Sequence, residues 1–125
     1  MRNFVKNLSL VCLIALGILN SCKPDETYPV LSTTDVTSIT GTSCISGGTI
    51  MKEGYYPVIN RGVCWSKHSY PNITDNITSD GTGKGTFVSN ITGLKTSTAY
   101  YLRAYATDKG GTGYGNEVSF TTSDY

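Results

Sequence analysis

Leu94-Lys95-Thr96-Ser97-Thr98-Ala99-Tyr100-Tyr101-Leu102-Arg103-Ala104-Tyr105-Ala106 is the stretch from which the rest of the chain can be read. Successive side chains on a strand point to opposite faces, so Tyr100, Leu102, Ala104 and Ala106 share one face. Tyr101, Arg103, Tyr105 and Thr107 share the other. Alternation kept up from Ala99 to Asp108 marks a strand with one buried face. The set containing Leu102 and the two alanines is the natural inward one. The strand closes at Lys109-Gly110-Gly111-Thr112-Gly113, where glycine supplies the backbone freedom a reversal needs.

Outward from this strand the pattern repeats. The sequence predicts further strands at Thr34–Thr40, Ser43–Met51, Val58–Ser66, Gly85–Thr92 and Asn116–Thr122, with a weak one at Ile73–Thr78. Lys52-Glu53-Gly54, Pro71-Asn72 and Ser79-Asp80-Gly81-Thr82-Gly83 separate them. Val118 and Phe120 join the inward face from the last strand, Phe87 and Ile91 from the one before, and Val63 and Trp65 from the third. Cys44, Ser46, Gly48 and Ile50 share a face, and the small members are expected to make room for Trp65. Thr, Ser, Gly and Tyr are abundant and no segment after the leader keeps helical spacing for three turns. The fold class is all-β: a sandwich of about seven strands.

Residues 94–106 resemble the L-x-P-x-T-x-Y-x-V-R-V-x-A stretch of fibronectin type III domains. In that resemblance Leu94 is the loop leucine that plugs one end of the sandwich. Tyr100 takes the tyrosine-corner position, whose hydroxyl bonds back to nearby backbone. Thr96 stands where proline is usual. Ser46-Gly47-Gly48, Arg61-Gly62-Val63-Cys64-Trp65-Ser66, Asp80-Gly81-Thr82-Gly83 and Tyr114-Gly115-Asn116-Glu117-Val118-Ser119-Phe120-Thr121-Thr122 resemble a bacterial subgroup found in surface lipoproteins and multi-domain extracellular proteins. The resemblance spans nearly all of residues 32–122. It implies an immunoglobulin-like sandwich that works by contact, in adhesion, recognition or spacing, rather than as an enzyme.

The first residues follow a different logic. Arg2 and Lys6 precede an almost wholly apolar run from Leu8 to Leu19, the pattern of a secretory leader too short to span a bilayer. Leu19-Asn20-Ser21-Cys22 resembles the bacterial lipobox, which implies cleavage before Cys22 and acylation of its thiol. Two or three chains at about 0.8 kcal/mol per buried CH₂ make such an anchor effectively permanent. Lys23-Pro24-Asp25-Glu26 resembles the acidic export tag of surface-displayed lipoproteins. The expected organisation is a leader at 1–21, a lipid-attached linker at 22–31 and the sandwich at 32–125, on the outer membrane and facing outward. Losing the first 21 of 125 residues leaves 104, enough to bury roughly 60–70% of the unfolded surface around one core.

The remaining chemistry is sparse. With Arg2 and Lys6 removed the net charge falls from +1 to −1, with no basic stripe for nucleic acid. Cys12 leaves with the leader. Cys44 and Cys64 read as separate small thiols, a disulfide in an oxidising compartment being the other option. His68, the single histidine, sits in a turn beside Ser69 with no nucleophile elbow in the chain, so no triad is expected. Gly81-Thr82-Gly83-Lys84-Gly85 leads into a strand, whereas a phosphate loop needs a helix N-terminus. Asp75, Asn76 and Asp80 match no calcium loop. Neither cofactor nor metal is expected.

Two aromatic sets remain as candidate binding surface. Tyr101, Arg103 and Tyr105 form the outward stripe of the long strand, with Tyr114 beside them; flat rings near a guanidinium suit sugars or a protein partner, and cross-strand pairing that stabilises the sheet is the plainer reading of the same residues. Tyr55-Tyr56-Pro57 precedes the third strand. The alternative to a contact protein is a carbohydrate-binding helper in a surface glycan-uptake system.

Overall fold

The computed structural model describes residues 27–125; Cys22 and the leader lie outside them. Eight strands run through the described residues: β1 Val30–Thr33, β2 Cys44–Lys52, β3 Asn60–Ser66, β4 Asn76–Ile77, β5 Gly85–Ile91, β6 Ala99–Asp108, β7 Gly111–Tyr114 and β8 Val118–Thr121. They form two antiparallel sheets. The smaller is ordered β1-β2-β5. The larger is ordered β4-β3-β6, and β7 and β8 pair in turn along the far edge of β6. β7 and β8 are two halves of one edge, which reconciles eight strands with the seven expected.

The core lies between the sheets. Tyr100, Leu102, Ala104 and Ala106 face inward from β6, against Val63 on β3, Cys44 and Ile50 on β2, and Phe87 and Ile91 on β5. Trp65 and Val118 are half-buried against this cluster. Gly48 makes room for different neighbours than expected: a Cβ there would press on Ala104 and on the Phe87 ring, not on Trp65. Ser46 is buried because its hydroxyl donates 2.7 Å to the Thr34 carbonyl, satisfying a group that burial would otherwise penalise.

The first strand is displaced from its expected place. It occupies Val30–Thr33, so the end of the expected 22–31 linker is sheet. Thr34–Thr40 is a connection with a single bridge between Thr37 and Ile45. Leu31 and Thr33 are buried, Val36 packs half-buried against the core, and Ser38 adopts a φ of 51°, which a continuous strand cannot include. The last edge also differs. The reversal after β6 is tighter than expected, because Asp108 Oδ1 accepts from the amides of Gly110 and Gly111, and pairing resumes at Gly111.

The break between β7 and β8 is filled from the other sheet. Thr33 Oγ1 accepts from the Ala104 amide at 2.9 Å and donates to the Asn116 carbonyl, while the Thr33 amide donates to Asn116 Oδ1 at 2.9 Å. One threonine thereby replaces the missing rung and ties β1 to β6. Buried backbone groups need such partners.

At the end of the sandwich opposite Val30, Leu94 is buried and donates its amide to the Thr42 carbonyl. Tyr100 stacks on Phe120 with centroids 5.6 Å apart, and its hydroxyl accepts from the Lys95 amide at 2.9 Å. Cys44 faces the core and Cys64 the opposite side of its own sheet, and both are free thiols. Burial pushes each up to about 11, so neither is a ready nucleophile.

Candidate functional site

The larger sheet's outer face carries Gly62, Cys64 and Ser66 from β3 beside Tyr105, Arg103 and Tyr101 from β6, paired in that order. Segment 67–80 folds back across this face, because β4 pairs with the outer edge of β3 and the chain must return over it. Tyr105 is therefore only 1% exposed, and its hydroxyl donates to the Thr78 carbonyl. Burial, then the charge on Asp80, pushes its phenol up to about 12. Gly62 opposite it has no room for a side chain: a Cβ would run into the same carbonyl.

Arg103 holds the other half of the segment. Its Nε donates 2.6 Å to the Pro71 carbonyl, and its guanidinium lies 3.9 Å from the Tyr114 ring centroid and 5.8 Å from that of Tyr70. The Tyr114 hydroxyl accepts from the Ile73 amide at 3.1 Å. The Glu117 carboxylate accepts from the Tyr70 amide, holding Tyr70 in the left-handed region at a φ of 55°. Cys64, fully buried under Pro71, donates 3.4 Å to its carbonyl. The stripe that was a candidate binding surface is thus a clamp on the chain's own segment. Tyr105 is not an exposed residue, and Arg103 and Tyr114 are engaged internally. Tyr101 alone of the stripe remains half-exposed without a role in the clamp.

Within the segment, His68 and Asp75 meet at 3.0 Å. The Ser69 carbonyl and then Asp75 raise the His68 pKa, and the Asn72 amide and then His68 lower that of Asp75. The Ser66 hydroxyl is spent on the His68 carbonyl, to which it donates at 2.6 Å. Farther along, Asp80 Oδ2 accepts from Thr78 and Ser89 hydroxyls at 2.6 Å each, and Thr78 Oγ1 accepts from the Val63 amide. This polar bridge joins β3 to β5 and uses the oxygens that a cation would need. Among the described residues no His, Cys, Asp and Glu cluster suits a metal, and no pocket opens.

The second aromatic set has a different fate. Tyr55 is 76% exposed, Tyr28 40%, and Tyr56 37%, with Pro57 and Ile59 exposed beside them. They belong to one end of the sandwich, where three connections meet Thr27 and Tyr28. A Cβ at Gly54 would strike the Thr27 carbonyl, one at Gly111 the Tyr28 ring, and one at Gly110 would crowd the Tyr56 ring. The Lys109 ammonium lies 4.6 Å from the Tyr56 centroid, and the Gly83 amide donates to the Val58 carbonyl, bringing 79–84 to the same end. Asp108 Oδ2 is buried beneath this turn without a hydrogen-bond partner. Tyr28 was not legible as part of this set, because only the fold brings it against Gly111.

The chain matches no family model and no curated protein sequence. By structure it is similar to the sensor domain of the anti-sigma factor RsgI4 from Pseudobacteroides cellulosolvens, with a TM-score of 0.60 and 18% identity over 76% of this chain and 75% of that one. It is also similar to the sixth fibronectin type III domain of human fibronectin type III domain containing protein 3, with a TM-score of 0.52 and 22% identity over 87% and 94%. Another fibronectin type III domain of a human protein of that name gives 0.53 and 15% over 85% and 94%.

The fold is that of a fibronectin type III domain.

Within it the three connections at the aromatic end are 53–59, 79–84 and 109–110. In the related immunoglobulin sandwich, loops gathered at one end carry recognition. In this fibronectin type III-like domain the rings of Tyr28, Tyr55 and Tyr56 are exposed at that end.

Proposed function

We propose that the chain is a non-enzymatic, lipid-anchored protein of the cell envelope that acts by contact in adhesion, recognition or spacing. The supporting observation is the seating of Thr27–Pro29 against the domain, five residues after Cys22. Five residues reach about 17 Å when fully extended, so acylation at Cys22 keeps the body close to the membrane instead of letting it roam. Outer-membrane location and surface display follow from the lipobox and from Lys23-Pro24-Asp25-Glu26. A glycan-binding role loses the flat stripe around Tyr105 and is left with Tyr55 and Tyr56. Mass spectrometry of the mature protein, with and without Cys22→Ser, tests the anchor, and protease accessibility on intact cells tests display. The expected mature chain begins at acylated Cys22 and is cleaved on intact cells. A chain that begins at Met1, or lacks fatty acid, overturns the proposal.

A further inference from the structure

The loop end combines features that otherwise occur apart. Tyr28, Tyr55 and Tyr56 present rings at the surface, Pro57 and Ile59 add apolar area, and Lys84 and Lys109 are exposed alongside. The opposite end is built from hydroxyls: Thr40, Ser43, Thr98 and Thr122 hydrogen-bond the connections there. Tyrosine suits the boundary between hydrocarbon and water because one side of it is apolar and its hydroxyl is wet. Lysine near a membrane surface is drawn to anionic headgroups. The chain enters the domain at this aromatic end, with Tyr28 itself packed on Gly111.

From this we infer that the domain stands on its loops: Tyr28, Tyr55 and Tyr56, with Lys84 and Lys109, rest in the headgroup layer of the bilayer that holds the acyl chains. The occupant is the phospholipid surface, not a protein. A tether of about 17 Å brings that end to the surface first. The body is then oriented, with the Tyr100 end and the C-terminal residue Tyr125 directed away from the membrane; Gly41, packed against both Tyr125 and Thr96, marks that far end. This inference rests on acylation at Cys22.

The test uses the full acylated chain in vesicles of phosphatidylethanolamine and phosphatidylglycerol, with brominated lipids as quenchers. Tyr55→Trp and, separately, Lys109→Trp place an indole in two loops of this end. The half-buried Trp65, near the other end of β3, is the internal reference. Both introduced indoles are expected to be quenched and blue-shifted on vesicles while Trp65 emission is unchanged. Flotation reports the anchor separately. A chain that floats with its introduced indoles quenched no more than Trp65 overturns the docking and leaves the anchor standing. A chain that does not float overturns both.

Discussion

Two sets of tyrosines look alike in the sequence and meet opposite fates. Tyr105 and Tyr114, with Arg103 between them, sit on the outer face of a sheet, where alternation points a side chain to solvent. Tyr55 and Tyr56 sit in a connection. The sheet-face set is covered, because segment 67–80 has to cross the larger sheet to form β4 at its edge. The loop set stays open. Pointing away from the core is therefore not the same as meeting water, and an outward aromatic on an inner strand is a candidate for binding the chain's own connections first.

The contrast can be broken most severely at Tyr105. Tyr105→Ala removes a buried ring, and a loss of about 3–5 kcal/mol in urea unfolding is expected. Tyr105→Phe removes only the donor to Thr78, and about 1 kcal/mol is expected. An Ala variant as stable as the parent would show that segment 67–80 does not cover the face. Gly62→Ala attacks the same cover from below, by driving a methyl against the Thr78 carbonyl. Overpacking of this kind costs about 1–3 kcal/mol, and hydrogen exchange should speed at Thr78 before it does in β6.

The His68–Asp75 contact gives the cover a pH dependence. A raised His68 pKa means its contribution is complete below the ordinary imidazole value of about 6.5 and is lost as pH rises through the folded value. The lowered Asp75 pKa means its share is complete above the ordinary carboxylate value of about 3.9 and is lost as pH falls through the folded one. Thermal unfolding of His68→Gln should therefore differ most from the parent between these limits, and the difference should shrink as the pH rises into the alkaline range. A difference that does not change with pH would assign the effect to packing instead. Smallest of all is Tyr55→Ser, which should leave unfolding unchanged to within about 0.5 kcal/mol. A larger loss would make Tyr55 part of the cover, not of the open set.

Much of the architecture was legible in the chain. Ala99–Asp108 is a strand with the bounds its alternation predicts, and the inward set around Leu102 is the core. Period two suffices there because one face is wholly apolar. It fails at β1, where Thr34–Thr40 has strand-like composition but Val30–Thr33 supplies the inward Leu31 and Thr33. It fails again at β7, since Gly111-Thr112-Gly113 reads as part of a turn until the Asp108 carboxylate tightens the reversal. The clamp was hidden for a different reason. Pairs such as Arg103–Pro71 and Tyr105–Thr78 are set by where a poorly patterned segment crosses the sheet, and no local spacing encodes that path. The glycine at 62 was the one available hint, a strand residue without a side chain opposite a large ring.

Hydroxyl-radical footprinting of the detergent-extracted chain tests the central contrast directly, tyrosine by tyrosine. The account predicts heavy labelling of Tyr55 and almost none of Tyr105. Tyr105 labelled at the rate of Tyr55 would mean that the sheet face is open, and that the aromatic stripe is available to a partner after all.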